Sequence, residues 1–594
     1  MRLVLCLTLA AATALAEPWN EKTLDLLAHL PVQERGRVKP LSTVASFALL
    51  RMNYQRSYRD ADGKKHQPLE WMLDVLFHPG EAKGQKIFLV EDSAVLDAIG
   101  IEHAGRKRRD RYSFDELSPA IDRLMQLLHE YEPMDAKDRT PAQNQIVDLA
   151  HSLDQFERYA HFLDFARAGD ISKLREGGEG DAEGLRRLQS ASALTFLPPV
   201  DGSAEWLSPA HVVANAFRGT PPSPEHVAIL ELLEKLAVTT NEAEFHNAAQ
   251  ELVGRARALA DARGEYKKIP LEISFYRLDP FFWGLLLYIG GFLVVALGWL
   301  WPNKWVARAA VAVTGGALAF NVAGIVLRCI LRSRPPVSTL YETVLFITGI
   351  GVASAFAVEW INRRRIGLAA APILGALGLF IANRFEAIDR QDTMPQLVAV
   401  LDTNFWLATH VTCITIGYAA GLLAAALAHV YVLGKVVGFR HGDAGFYRNI
   451  GRMVYGVLCF SLVFSTVGTI LGGVWANDSW GRFWGWDPKE NGALLIVLSQ
   501  LAILHGRMGG HLRDFGISMA AIFGGAVVSW SWWGVNLLGV GLHSYGFIGG
   551  VWTGLLTFWG FEVLVLVAGM VSWLNARALA TSGNNPQDGP PAPV

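Results

Sequence analysis

Between residues 280 and 573 long apolar runs follow one another with only short polar breaks, each near the roughly twenty residues that a helix needs to cross about 30 Å of hydrocarbon. Lipid offers the backbone no hydrogen-bonding partner, so a chain that threads it repeatedly does so as helices. About nine spans are expected, at 281–300, 306–327, 343–360, 368–381, 405–433, 454–474, 493–504, 517–540 and 549–573. Between 18 and 279 no uninterrupted run reaches that length. The chain has 594 residues, 51% of them hydrophobic, and this apolar content is concentrated in its second half. The expected fold class is therefore all-α: a polytopic membrane helical bundle at 271–577, preceded by a mostly helical soluble domain at 17–270.

Arg2, the apolar stretch 3–15 and the small-residue site Ala14, Leu15, Ala16 form the charged, apolar and cleavage sections of a signal peptide at 1–16. The soluble domain is then exported. Apolar residues recur at helical spacing over 21–30, 113–131 and 140–166, while 176–184 and 221–224 read as loops. The segment 31–45 reads as a turn followed by a helix starting at Ser42 or Thr43. With the N-terminus outside, Lys304, Arg308, Arg363, Arg364, Arg365, Lys435, Arg440, Arg448, Arg507, Arg513 and Arg577 all fall on the inner side, which is the positive-inside bias. The polar tail 578–594 is expected to be a disordered cytoplasmic end.

The chemistry the chain lacks is also informative. Of its four cysteines, Cys6 leaves with the signal and Cys329, Cys413 and Cys459 lie in apolar runs; no CxxC or CxxCH occurs. This excludes thiol exchange through such a motif and c-type haem attachment to the chain itself. A formal net charge of -2 excludes the basic footprint of a nucleic-acid partner.

Arg328, Arg332 and Arg334 depart from the charge bias by falling on the outer side, where lipid headgroups or an anionic ligand group would account for them. On that side too lies the segment 475–491, WANDSWGRFWGWDPKEN, with Trp475, Trp480, Trp484, Trp486 and Asp487. An interfacial aromatic belt spreads its rings over many helix ends. Here they crowd into one segment with Gly481 and Gly485, and a flat apolar surface of this kind suits a planar macrocycle. His410, at the outer end of the fifth span, and His543, just beyond the eighth, fall at the same depth. Two facing imidazoles at that level would fill both axial positions of a haem iron. His505 lies near the inner end of the seventh span, about 22 Å down a helix from Glu490, and His429 at similar depth; each reads as either a packing residue or a functional one.

Taken with these residues, WGRFWGWDPKE (480–490) resembles the WWD-type loop of haem-handling cytochrome c biogenesis proteins. RPPVSTLYE (334–342), WLATH ending at His410, LHGR around His505 and LHSYGF from Leu542 bring the likeness closest to the CcsA/ResC branch of the cytochrome c synthetase system. The likeness covers the membrane half. It implies a role in cytochrome c maturation: haem b delivered across a bacterial cytoplasmic membrane and presented for covalent attachment to CxxCH of an exported apocytochrome c. By the same likeness His410 and His543 are outer axial haem ligands, the tryptophan segment the haem face and His505 part of an inner uptake site, alone or with His429. Arg332 and Arg334 are expected to pair with haem propionates. The partners implied are a CcsB/ResB-like membrane protein, which 17–270 does not resemble, apocytochrome c and thiol-reducing proteins. A haem exporter without ligation activity and a membrane b-type cytochrome are the competing readings.

Overall fold

The computed structural model describes residues 19–136, 138–168, 188, 192–200, 202–397, 399–440, 442–543 and 551–582. The expected signal peptide, the expected loop at 176–184 and the end of the tail from 583 lie outside them. The chain forms two compact units, one running to Arg277 and including Arg390–Gln396, the other made of Leu278–Asp389 and the chain from Leu397 onward. The first thus extends beyond 270 and takes a short segment from within the membrane part.

The first unit is mostly helical, with three two-stranded antiparallel ribbons among the described residues. Its core is built on Trp71, Phe88, Phe156 and Phe165, all fully buried. At 31–45 the expected turn is one of those ribbons: Pro31–Glu34 pairs with Arg37–Pro40. Arg35 and Gly36 both take positive φ (52° and 76°), the twist that suits a tight hairpin. A helix starts at Leu41, ahead of the expected Ser42 or Thr43, because Pro40 ends its strand in extended geometry and passes directly into the first turn.

The hairpin carries buried charge. Arg37 donates to Glu272 at 2.5 and 3.1 Å and to Asp392 at 2.7 Å, and Lys39 donates to the same Asp392 oxygen at 2.8 Å. Arg390 reaches Asp148 at 2.5 Å and lies over the Tyr54 ring. Segment 390–396 is thereby held in the first unit by ion pairs. Burial pushes the Asp392 carboxyl up, but the charges of Arg37 and Lys39 outweigh it and hold the group well below the usual carboxylate range.

Nine helices run through the second unit among the described residues: α1 Pro280–Leu300, α2 Lys304–Arg332, α3 Leu340–Asn362, α4 Ile366–Asp389, α5 Thr412–Val436, α6 Ala444–Trp480, α7 Pro488–Met508, α8 Asp514–Trp532 and α9 Val551–Ser582. All but α7 are long and apolar enough to cross a membrane; α7 has 21 residues and carries Lys489, Glu490, Gln500, His505 and Arg507. This is an all-α polytopic membrane bundle. Leu293, Leu297, Val322, Val326, Val563 and Leu564 are exposed, as lipid-facing side chains are.

Small residues bring α5 and α6 together, as expected where tight backbone approach supports association in lipid. A Cβ on Gly417 would meet Ser465 Oγ at 2.5 Å, and one on Gly468 would meet the Ile414 backbone at 2.8 Å. Ser461 donates to the Gly417 carbonyl at 2.7 Å and receives Gln500 of α7 at 2.7 Å. At one end of α2 and α3, Arg328 and Arg332 converge on Glu342, all three side chains being almost fully buried.

Candidate functional site

The segment at 475–491 is less of a loop than its composition suggests. Helix α6 continues to Trp480 and stops where Gly481 takes left-handed geometry at φ 69°. After a short link, α7 starts at Pro488 with Asp487 as its N-cap. Asp487 and Glu490 form a capping box: Asp487 Oδ1 accepts the Lys489 N–H at 2.8 Å, while Glu490 Oε2 accepts those of Gly485 and Asp487 at 2.7 and 3.2 Å. Trp475 and Trp480 are thus helical, whereas Trp484 and Trp486 stand on the link.

The two expected ligands meet this helix end. His410 sits in a π-helical turn, Leu407–Val411, just ahead of α5. Its Nδ1 donates to the Gly468 carbonyl at 2.8 Å, and its ring packs edge-on against Trp475 at 5.6 Å. Trp406 also stacks on Trp475, at 6.4 Å. Nδ1 is occupied, so Nε2 is the nitrogen left to accept a ligand bond. His543 follows a 3-10 turn, Gly534–Leu538, beyond α8 and packs edge-on against Trp480 at 4.9 Å. The two imidazoles are close enough to interact electrostatically.

Asp487 links the two parts of the site. Its Oδ2 accepts the Leu542 N–H at 2.7 Å, and its Oδ1 lies 3.2 Å from His543 Nδ1. Gly541 makes this approach possible: its φ is +88°, and a Cβ there would overlap Asp487 Oδ2. Burial lowers the His543 imidazole below its ordinary value despite the Asp487 carboxylate, which keeps the ring neutral at neutral pH. Trp486 is the most exposed ring of the group at 70% and holds a left-handed backbone, φ 57°. A non-glycine residue there costs about 1–3 kcal/mol, a strain that clusters at ligand sites.

The remaining expected residues divide. Arg332 is committed to Glu342 at 2.8 Å and to the Ser338 hydroxyl. Arg334, with a quarter of its side chain exposed, pairs with Asp402 and donates to Asn404 Oδ1 at 3.3 Å, beside the turn that leads to His410. His505 lies exposed on α7 with Nδ1 on the Leu501 carbonyl at 2.8 Å. His429 turns its Nε2 to Glu562 of α9, 3.2 Å away, and stacks on Phe561. Several contributors carried no expectation. Arg482 lies over Trp480 and 3.6 Å from Glu490 Oε1, and Lys489 donates to the Trp532 carbonyl at 2.7 Å. The Asp, Pro, Lys, Glu order of a capped helix start was the signal that could have exposed the part played by Asp487 and Glu490.

Residues 337–543 match the family model described as cytochrome C assembly protein. The cytochrome c biogenesis protein CcsA of Synechococcus sp. (strain CC9902) is 33% identical over 252 residues, which are 38% of this chain and 82% of that protein. The chain belongs to the CcsA family of cytochrome c biogenesis proteins. CcsA of Chlamydomonas reinhardtii is 32% identical over 225 residues, covering 36% of this chain and 61% of that relative. Protein NrfI of Wolinella succinogenes is 32% identical over 234 residues, 38% of this chain and 25% of NrfI. Membership assigns this CcsA-type chain a role in cytochrome c maturation and in haem handling. The matched stretch runs from beside the Arg334 turn to His543 and takes in His410, the tryptophan segment and His505; α9 and the first unit apart from Arg390–Gln396 lie outside it.

Proposed function

We propose that this chain receives haem b in the membrane and presents it at the His410–His543 end of the bundle, where its vinyl groups are joined to the CxxCH cysteines of an exported apocytochrome c. The observation that carries this reading is the convergence of two imidazoles on one tryptophan-lined helix end, with His410 against Trp475 and His543 against Trp480. Each ring is approached on its Nδ1 side by an acceptor, so Nε2 is the atom directed to iron. This donor set fits a haem: neutral imidazoles for the axial positions, and indole rings, with the Phe483 phenyl among them, for the macrocycle.

The thiols come from the substrate, so the protein's part is to fix the ring and its vinyl carbons in reach of them, a contribution of proximity and orientation. Arg334, partly exposed beside the His410 turn, is offered to a propionate, and Arg332 supports it by ordering the 333–339 link through Glu342 and Ser338. His505 is exposed on α7 and is suited to share haem with a histidine of a CcsB-like partner at the inner site. In this reading the membrane is a bacterial inner membrane and the first unit lies on its outer side.

The test is haem retention in purified protein, followed by attachment to apocytochrome c in the presence of the partner. His410→Ala and His543→Ala are expected to lose outer haem and product, with exogenous imidazole restoring either. Arg334→Gln is expected to weaken retention, and His505→Ala to reduce loading. Normal haem content and product in both outer-histidine variants would overturn the proposal.

A further inference from the structure

The two histidines are held in different ways, and the difference bears on how product leaves. His543 is clamped. Asp487 Oδ2 accepts the Leu542 N–H at 2.7 Å and lies 3.4 Å from the His543 N–H, while Oδ1 stands 3.2 Å from the ring nitrogen. Two residues further along, Lys489 holds the other end of the same stretch through the Trp532 carbonyl at 2.7 Å and Asn536 Oδ1 at 3.4 Å. The whole path from the end of α8 to His543 is therefore pinned at both ends to the first turn of α7. His410 faces a neutral acceptor, the Gly468 carbonyl, and rides on a π-helical turn. Such a turn is a local, one-residue departure from α-helical geometry, and it recurs at functional sites.

A carboxylate behind an imidazole raises its basicity and strengthens its bond to a metal; a backbone carbonyl does so less. A haem attached at CxxCH takes the histidine of that motif as an axial ligand, so one of the protein's two imidazoles must give up its place. We infer that Asp487, with Lys489 and Gly541, is a positioning group that makes His543 the retained ligand, and that His410 is the ligand displaced by the incoming histidine. In that exchange the bond from iron to His410 Nε2 breaks and one to the substrate imidazole forms, with no net change in electrons or protons. The apocytochrome accordingly approaches from the His410 side.

This inference rests on the proposed haem site, and the experiment separates the two. Carbon monoxide added to the reduced haem of the full-length protein replaces the weaker axial ligand, and resonance Raman spectra after photolysis report the iron–histidine stretch of the one that stays. With both variants reconstituted with excess haem to offset their weaker retention, the wild-type spectrum is expected to match that of His410→Ala and to differ from that of His543→Ala. Asp487→Asn, which keeps a side chain able to cap α7, is expected to lower the stretching frequency and raise the midpoint potential while the oxidised protein remains low-spin; Asp487→Glu should restore both. A wild-type spectrum matching His543→Ala, or an unmoved frequency and potential in Asp487→Asn, would overturn the inference while leaving the haem site standing. Haem spectra indifferent to both histidines would instead remove the site itself.

Discussion

At the residue scale the site depends on places where a side chain is missing. A Cβ on Gly472 would stand 2.6 Å from His410 Cε1, so α6 leaves a notch that the imidazole fills. Gly472→Ala is expected to push the ring off the Gly468 carbonyl and lower haem retention several-fold with little change in melting temperature; absorbance of purified protein per chain measures this. Gly473 accommodates the Phe483 ring in the same way, and at Gly485 a Cβ would overlap the Arg482 guanidinium. Such notches are only partly readable beforehand. Gly481 and Gly485 stood out among the tryptophans, whereas Gly472 and Gly473 are lost in an apolar helix where glycine is common. The histidines drew attention because an imidazole at a span end stands out against apolar sequence. Their nearest neighbours were not, because Gly468 contributes only a carbonyl and every residue has one.

Among elements, the spans were legible from length and hydropathy alone, since hydrocarbon thickness sets a requirement no local preference overrides. Their ends were less so. Helix α6 runs through Trp480 because the tryptophans favour helix and loop alike, and the stop is written only in Gly481. The π-helical turn under His410 leaves no mark in composition at all. The pairing of α2 with α3 was half visible. Three arginines that depart from the charge bias called for an anion, and the structure supplies Glu342, a residue four positions past the Ser338 whose hydroxyl and N–H it accepts, in addition to Arg328 and Arg332. Removing one member of a buried ionic group costs about 3–5 kcal/mol because the partners keep their charge without a counterion. Glu342→Gln is therefore expected to lower the thermal midpoint by several degrees and to loosen the link that carries Arg334, measured by melting and by haem affinity in the same preparation.

On the scale of the whole molecule, the sequence marks a change in apolar run length near residue 280 and the two compact units meet at Arg277 and Leu278, whereas nothing in that pattern marks 390–396 as part of the first unit. Its cause is charge: Asp392 answers Arg37 and Lys39 across a long sequence separation. With its carboxyl held below the usual range, this group contributes stability that is present above about pH 4 and is lost as pH falls through its folded value. Asp392→Asn should cost about 3–5 kcal/mol at neutral pH and flatten the acid limb of unfolding, followed by tryptophan fluorescence. The ion pairs also impose an order on biosynthesis. Arg37 and Lys39 leave the ribosome long before Asp392, and helices α1 to α4 are made in between. The first unit can close its charged centre only once the fourth helix has been synthesised and the chain beyond it has arrived, so its maturation reports that the first half of the bundle has been laid down. A fragment cut after Arg277 would keep Arg37 on Glu272 and Lys39 on Glu34 but lack the carboxylate that the two cations share, and the seven residues Arg390–Gln396 supplied as a peptide are what it would bind.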